Sequence, residues 1–153
     1  MAVVGIGNEL RADDAAGLLI ARALIERQTG SEAQSSILAL DAGAAPENVT
    51  GALRRFAPDL VIFADAAFVD EGALPGAIHW LDWRETAGLS ASTHTLPLHV
   101  IAQYLVSELG CEVVLIGIQA DGIAFDQATS PAIQQAAQAV AAELWTILTE
   151  THP

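Results

Sequence analysis

The sequence has no lysine: its basic residues are six arginines, Arg11, Arg22, Arg27, Arg54, Arg55 and Arg84. That excludes Schiff-base chemistry on a lysine amine and a Walker-type phosphate loop, whose lysine reaches the terminal phosphates. Against the six cations stand 19 acidic residues, for a formal net charge of −13. The chain therefore lacks the basic face that nucleic-acid binding requires. A single cysteine, Cys111, permits no internal disulfide and no zinc ribbon. It sits between a helix-ending glycine and a strand and reads as a small apolar filler. No serine stands in a nucleophile-elbow pattern. No apolar run reaches the roughly 20 residues of a membrane-spanning helix, and no charged-then-apolar leader opens the chain, so a cytoplasmic domain without membrane insertion is expected. No repeat or Pro/Gly/Ser linker divides the sequence. Its 153 residues, 52% hydrophobic, suffice for one core and are too few for two ordinary domains, so residues 1–153 are read as a single domain.

What is present is an alternation of short apolar runs with helical patterns. Ala2–Ile6 reads as a buried strand cut by Gly7-Asn8. A helix is expected from Asp13, as N-cap, to about Gln28, with Gly30 beyond its end. Residues 36–40 form a second strand ending at Asp41, and a short helix spans about Pro46 to Phe56. Leu60–Ala64 is a third strand ending at Asp65, and its unbroken apolarity fits a strand covered on both faces. Ala77–Leu81 is a further strand, followed by a loop over 83–94. A helix starts near Pro97 and carries Leu98, Ile101, Ala102, Leu105 and Leu109 at helical spacing up to Gly110. Val113–Ile118 is the last strand, and Ser130-Pro131 opens a final helix to about Leu148. Strands separated by helices require crossover connections. The expected class is α/β: a three-layer α/β/α sandwich on a mostly parallel twisted sheet of about five strands.

In such sheets ligands bind outside the carboxyl ends of the strands. Those ends carry Gly7-Asn8, Asp41, Asp65 and Gln119; Asp13-Asp14 and His94 are expected on the same edge. Asp13 is explained as a helix cap, but two adjacent acids exceed what one cap requires. An Asp ending a buried apolar strand must find donors or a cation, because isolated burial of charge is expensive. A lone loop histidine is ordinarily just hydrogen-bonded. Taken together, however, Asp14, Asp65 and His94 form a plausible ligand set for a divalent metal. His99 reads as a helix-surface residue with at most a supporting role, and His79 and His152 need no function. Trp80 and Trp83 read as core or rim residues. The loop Gly5-Ile-Gly7-Asn8-Glu-Leu10 resembles a dinucleotide fingerprint but has Leu10 in place of the third glycine. Glu9, Asp13 and Asp14 crowd the helix start, where a pyrophosphate would need positive potential.

These segments together resemble the hydrogenase maturation proteases, endopeptidases that trim the C-terminus of the large subunit of [NiFe] hydrogenases. The resemblance is carried by Gly5–Asp14, Asp41–Asn48, Val61–Ala66, Thr93–Leu98 and Gly117–Asp121, in family order and across nearly the whole chain. Asp41–Asn48 and Gly117–Asp121 are most similar to the branch serving formate hydrogenlyase hydrogenase 3. The resemblance implies a phosphorylase/hydrolase-like fold and three metal contacts: Asp14, Asp65 and His94. The metal would be nickel already inserted in the large-subunit precursor, read by the protease as a sign of completed loading; other divalent ions could occupy the same ligands. Asp41 matches an acid implicated near the substrate. Ala15 and Ala42 stand where the family commonly has glycine, and the first strand begins unusually close to Met1. Hydrolysis would come from water activated by the metal or by an acid such as Asp14 or Asp41. Two competing functions use the same residues differently. One is a non-catalytic metal- or precursor-binding chaperone, and the other a nucleotide-binding enzyme resting only on Gly5 and Gly7.

Overall fold

The structure is a computed structural model that describes residues 1–29, 36–86 and 96–150. Its elements are β1 (Ala2–Gly5), α1 (Ala16–Gln28), β2 (Leu38–Asp41), α2 (Thr50–Phe56), β3 (Leu60–Ala67), β4 (Ile78–Leu81), α3 (Leu98–Leu109), β5 (Glu112–Gln119) and α4 (Pro131–Glu150). Single 3-10 turns precede α1 at Ala12–Ala15 and α2 at Pro46–Val49, and another follows β4 at Trp83–Glu85. The strands form one sheet in the order β2-β1-β3-β5-β4, parallel except for β4 at one edge. The expected three-layer sandwich is present.

Side-chain alternation along the strands sorts the core into two halves. Val3, Ile62, Ala64, Ile116 and Ile118 pack with Ile20 and Leu24 of α1 and Ile133, Ala137 and Leu144 of α4. Ala2, Val4, Val61, Phe63, Val113 and Leu115 pack on the other face with Leu53 of α2 and Leu98, Ile101 and Leu105 of α3. Each fully buried large side chain, Phe63 among them, contributes about 1.5–3 kcal/mol. Cys111 belongs to the second half, where burial pushes its thiol pKa up; it is filler, as its position implied.

Asp13, the third strand and Pro97 depart from expectation. Asp13 is not the N-cap of α1: it lies inside the 3-10 turn, and no side chain caps α1. The third strand does not end at Asp65 but runs on to Ala67, because β5 continues to pair with it through Gln119. Of the two readings of Trp80, core or rim, burial excludes the first: it stands 63% exposed on the edge strand β4. Pro97 is the cap of α3 rather than a residue of its first turn. Gly30, His94 and His152 lie outside the described residues, as does most of the expected 83–94 loop.

The strand order reverses between β1 and β3, since β2 lies on one side of β1 and β3 on the other. Such a reversal opens a crevice at the carboxyl ends. Two glycines shape it. After Ile6, whose amide still donates to Ala64 O at 2.8 Å, the chain turns at Gly7 with φ +145°, and a Cβ there would overlap the Asp14 carbonyl. Gly17 lies so close to the sheet that a Cβ would overlap the carbonyls of Ala64 and Ile6. The start of α1 is thereby set flush on β1 and β3.

The turn before α1 is tied to the segment after β5. Asp13 Oδ1 accepts from the Ser130 amide at 2.8 Å, and Oδ2 accepts from the Asp121 amide at 3.0 Å and the Gly122 amide at 3.5 Å. The Asp13 amide donates to Gly122 O, the Asp126 amide to Leu10 O, and Thr129 Oγ1 to Ala12 O. Ala12 itself is held at φ +47°, a backbone region costly for a residue with a Cβ.

Two substitutions test these constraints. Gly17→Ala forces α1 off the sheet and should cost about 1–3 kcal/mol, as overpacking does; urea unfolding should show a lower midpoint at unchanged slope. Asp13→Asn keeps the shape but turns one acceptor into a donor facing an amide. It should cost about 1–3 kcal/mol, visible as a lower midpoint and faster proteolysis at 121–130.

Candidate active site

Five polar side chains are buried among the described residues: Asp13, Asp14, Asp65, Thr86 and Gln119. Three of them are braces. Asp13 fastens two loops as described. Thr86 Oγ1 donates to Trp83 O at 2.8 Å. Gln119 Oε1 accepts from the amides of Val69 and Asp70 at 3.0 and 3.3 Å, while its backbone carbonyl takes the Gly76 amide at 2.8 Å. Gln119, singled out for its strand-end position, thus holds in place the chain that leaves β3.

Asp14 and Asp65 stand at the crevice. Asp14 is 1% exposed in the 3-10 turn after β1, and Asp65 is 4% exposed on β3. The turn packs directly against β3. Asp65 shares the face of β3 with Val61 and Phe63, since side chains two apart point the same way, and that is the face covered by α3. Dehydrating a carboxylate is expensive unless a cation or donors compensate. Two carboxylates so deeply placed at the topological switch point are the polar core of the candidate site. Among the described residues no three His, Cys, Asp or Glu side chains gather as a metal-binding group. The third expected ligand, His94, lies outside the described residues, four positions before Leu98 at the start of α3.

Asp41 ends β2 on the same carboxyl edge and is firmly held. Its Oδ2 accepts from Arg22 Nε at 2.6 Å and its Oδ1 from the Gly43 amide at 3.1 Å. Arg22 also donates to Glu9 Oε2 at 2.9 Å. Hydrogen bonds from Asp41 first and Glu9 second hold the Arg22 guanidinium above its already high ordinary pKa. Arg22 therefore joins the loop after β1 to the loop after β2. The Gly7 amide donates to Gly43 O at 3.0 Å and joins the same two loops. Gly43, not Ala42, takes the left-handed conformation, at φ +58°, so the alanine at 42 leaves this turn intact. Sequence reasoning passed over Arg22. No local signal marks it: α1 carries a second cation, Arg27, and the partners of Arg22 lie 13 and 19 positions away in sequence.

The remaining candidates lie away from the crevice or keep bland roles. His99 is half-buried on α3, and His79 is half-buried in mid-β4. Trp83 is half-buried against the α3 half of the core, with the Arg84 guanidinium 4.5 Å from its ring centroid. Chemically, the edge offers buried carboxylate oxygens that suit a divalent ion or a polarised water. At the turn leading into α1 a nucleotide phosphate would meet the acids Asp13 and Asp14.

Known proteins share this fold. The family model HycI, described as hydrogenase maturation protease, matches residues 19–150. The hydrogenase 3 maturation protease of Escherichia coli K12 is 31% identical over 136 residues, 88% of this chain and 82% of its own. The crystal structure of a [NiFe] hydrogenase maturation protease HycI from Thermococcus kodakarensis KOD1 superposes with TM-score 0.82 and 34% identity. That match covers 97% of this chain and 91% of the other. The solution structure of an endopeptidase HycI from Escherichia coli gives TM-score 0.77 and 30% identity, over 94% and 87% of the two chains. With a sheet of matching architecture and a family model spanning most of its length, this chain belongs to the hydrogenase maturation protease family and is a peptidase.

Proposed function

We propose that this peptidase removes the C-terminal extension from the nickel-loaded precursor of a [NiFe] hydrogenase large subunit. The nickel is part of the substrate. Asp14, Asp65 and His94 contact it, docking the scissile segment in the crevice between β1 and β3. The observation that carries this reading is the depth of two carboxylates, 1% and 4% exposed, at the switch point of the sheet. Oxygen ligands with one imidazole suit a labile contact to a divalent ion, and the names of the matched relatives supply the substrate class. The compartment is cytoplasmic on this reading; no described helix is long and apolar enough to cross a membrane.

Hydrolysis adds water to the carbonyl carbon of the scissile peptide and returns a proton to the departing amine. A carboxylate beside that carbonyl polarises the water, accepts its proton and relays it. Asp14 is the better placed of the two proposed acids. Both oxygens of Asp41 accept hydrogen bonds, from Arg22 and Gly43, so Asp41 serves first to set the wall of the crevice and its contact with substrate. Buried Asp14 gains more from a low-dielectric site, where electrostatic interactions are strengthened.

Incubation with nickel-loaded and nickel-free precursor tests the assignment. The loaded form should be shortened and the nickel-free form left intact. Equal cleavage of both, or of neither, would overturn it. Asp14→Asn, Asp65→Asn and His94→Ala should each lower kcat/KM by about 100-fold or more, as loss of a principal polar group does, with thermal midpoints close to that of the unsubstituted protein. Asp41→Asn should have a smaller effect, on the order of tenfold, because it loosens the wall without removing a metal contact.

A further inference from the structure

We infer that Leu10 and Phe125 form a prebuilt apolar grip for the precursor polypeptide beside the scissile segment; this rests on the reading of the Asp14–Asp65 crevice as the active site. Leu10 is 57% exposed and Phe125 67% exposed, yet neither lies on a loose segment. The Asp126 amide donates to Leu10 O at 2.8 Å, joining the two backbones directly. The Leu10 amide donates to Asn8 Oδ1 at 2.9 Å. The Arg11 guanidinium lies 6.0 Å from the Phe125 ring centroid, within range of a cation–π contact. The same two loops are pinned by Asp13, next in sequence to Asp14. Two large apolar side chains are therefore held in water on backbone bonded to the turn that carries Asp13 and Asp14.

Exposed apolar side chains contribute little to folding, and when rigidly displayed they bind without the entropic cost of ordering. The occupant is fixed by position and charge. A peptidase whose acids lie in this crevice must admit polypeptide across this rim. Glu9 is paired with Arg22 and Arg11 lies over the Phe125 ring, so the acids on the Phe125 segment are Asp121 and Asp126, both exposed; two acids against one cation disfavour an acidic partner by like-charge repulsion. The grip fits an apolar residue of the precursor set among neutral or basic ones. Other exposed apolar side chains, Trp80 on β4 and Ile147 on α4, lie on elements that carry none of the candidate acids. They serve as internal controls.

The experiment compares Leu10→Ser, Phe125→Ser, Trp80→Ser and Ile147→Ser in the full chain, by steady-state cleavage of nickel-loaded precursor and by calorimetric binding of the same precursor. Leu10→Ser and Phe125→Ser should each weaken binding and raise KM by about tenfold, the size of an apolar interface anchor, while kcat changes far less. The two control variants should match the unsubstituted protein. Unchanged KM and affinity in both Leu10→Ser and Phe125→Ser, or an equal loss in Trp80→Ser, would overturn the inference. The binding arm decides it even if Asp14→Asn still cleaves, an outcome that would overturn only the catalytic assignment.

Discussion

Dehydrating a carboxylate costs more than almost any other single feature of this molecule, and the carboxyl edge of the sheet does it three times. Asp13, Asp14 and Asp65 are all buried there, in a core built mostly of alanine, valine, leucine and isoleucine. The expense at Asp13 is met by three backbone amides of the β5–α4 segment. That arrangement fixes the turn that presents Asp14. Gly7 and Gly17 let the turn and the first residues of α1 settle against β1 and β3 without steric conflict. Everything proposed about the site depends on this one carboxylate holding two distant segments together.

The edge thus separates residues that shape the crevice from residues that face the substrate. Asp13, Gln119 and Arg22 belong to the first kind, each joining segments that are far apart in sequence. Asp14 and Asp65, the buried acids of the proposed site, belong to the second on the reading proposed above. Arg22 adds little stability as a surface ion pair, of the order of 0–1 kcal/mol; its value is geometric, because one guanidinium addresses both Glu9 and Asp41. In a markedly acidic chain, Arg22 is placed where two acids share one cation.

Much of the architecture was legible because buried parallel strands leave a simple trace. Val61–Ala64 and Val113–Ile118 are continuous apolar runs, as expected of strands covered by helices on both faces, and both lie in the observed sheet. Local signals also placed α3 and its end at Gly110. What local signals could not give was the partner of Asp13. The sequence around it has the form of a helix cap, but its acceptor groups serve amides 108 and 117 residues away. The extension of β3 past Asp65 was hidden for the same reason, being fixed by pairing with Gln119. Asp14 and Asp65 could be picked from motif and topology together, and they lie on the same edge. Arg22 could not, because an ion pair across loops leaves no periodic mark.

The bonds between the Leu10–Asp14 turn and residues 121–130 carry a dynamic corollary. Backbone groups of one segment are satisfied by the other, so freeing either leaves dehydrated donors and acceptors on both sides of the seam. Partial gaping is therefore the least favourable state available to this rim. Opening should occur as one concerted event, with exchange of the Asp121 and Ser130 amides reporting on the same fluctuation that exposes the turn beneath them.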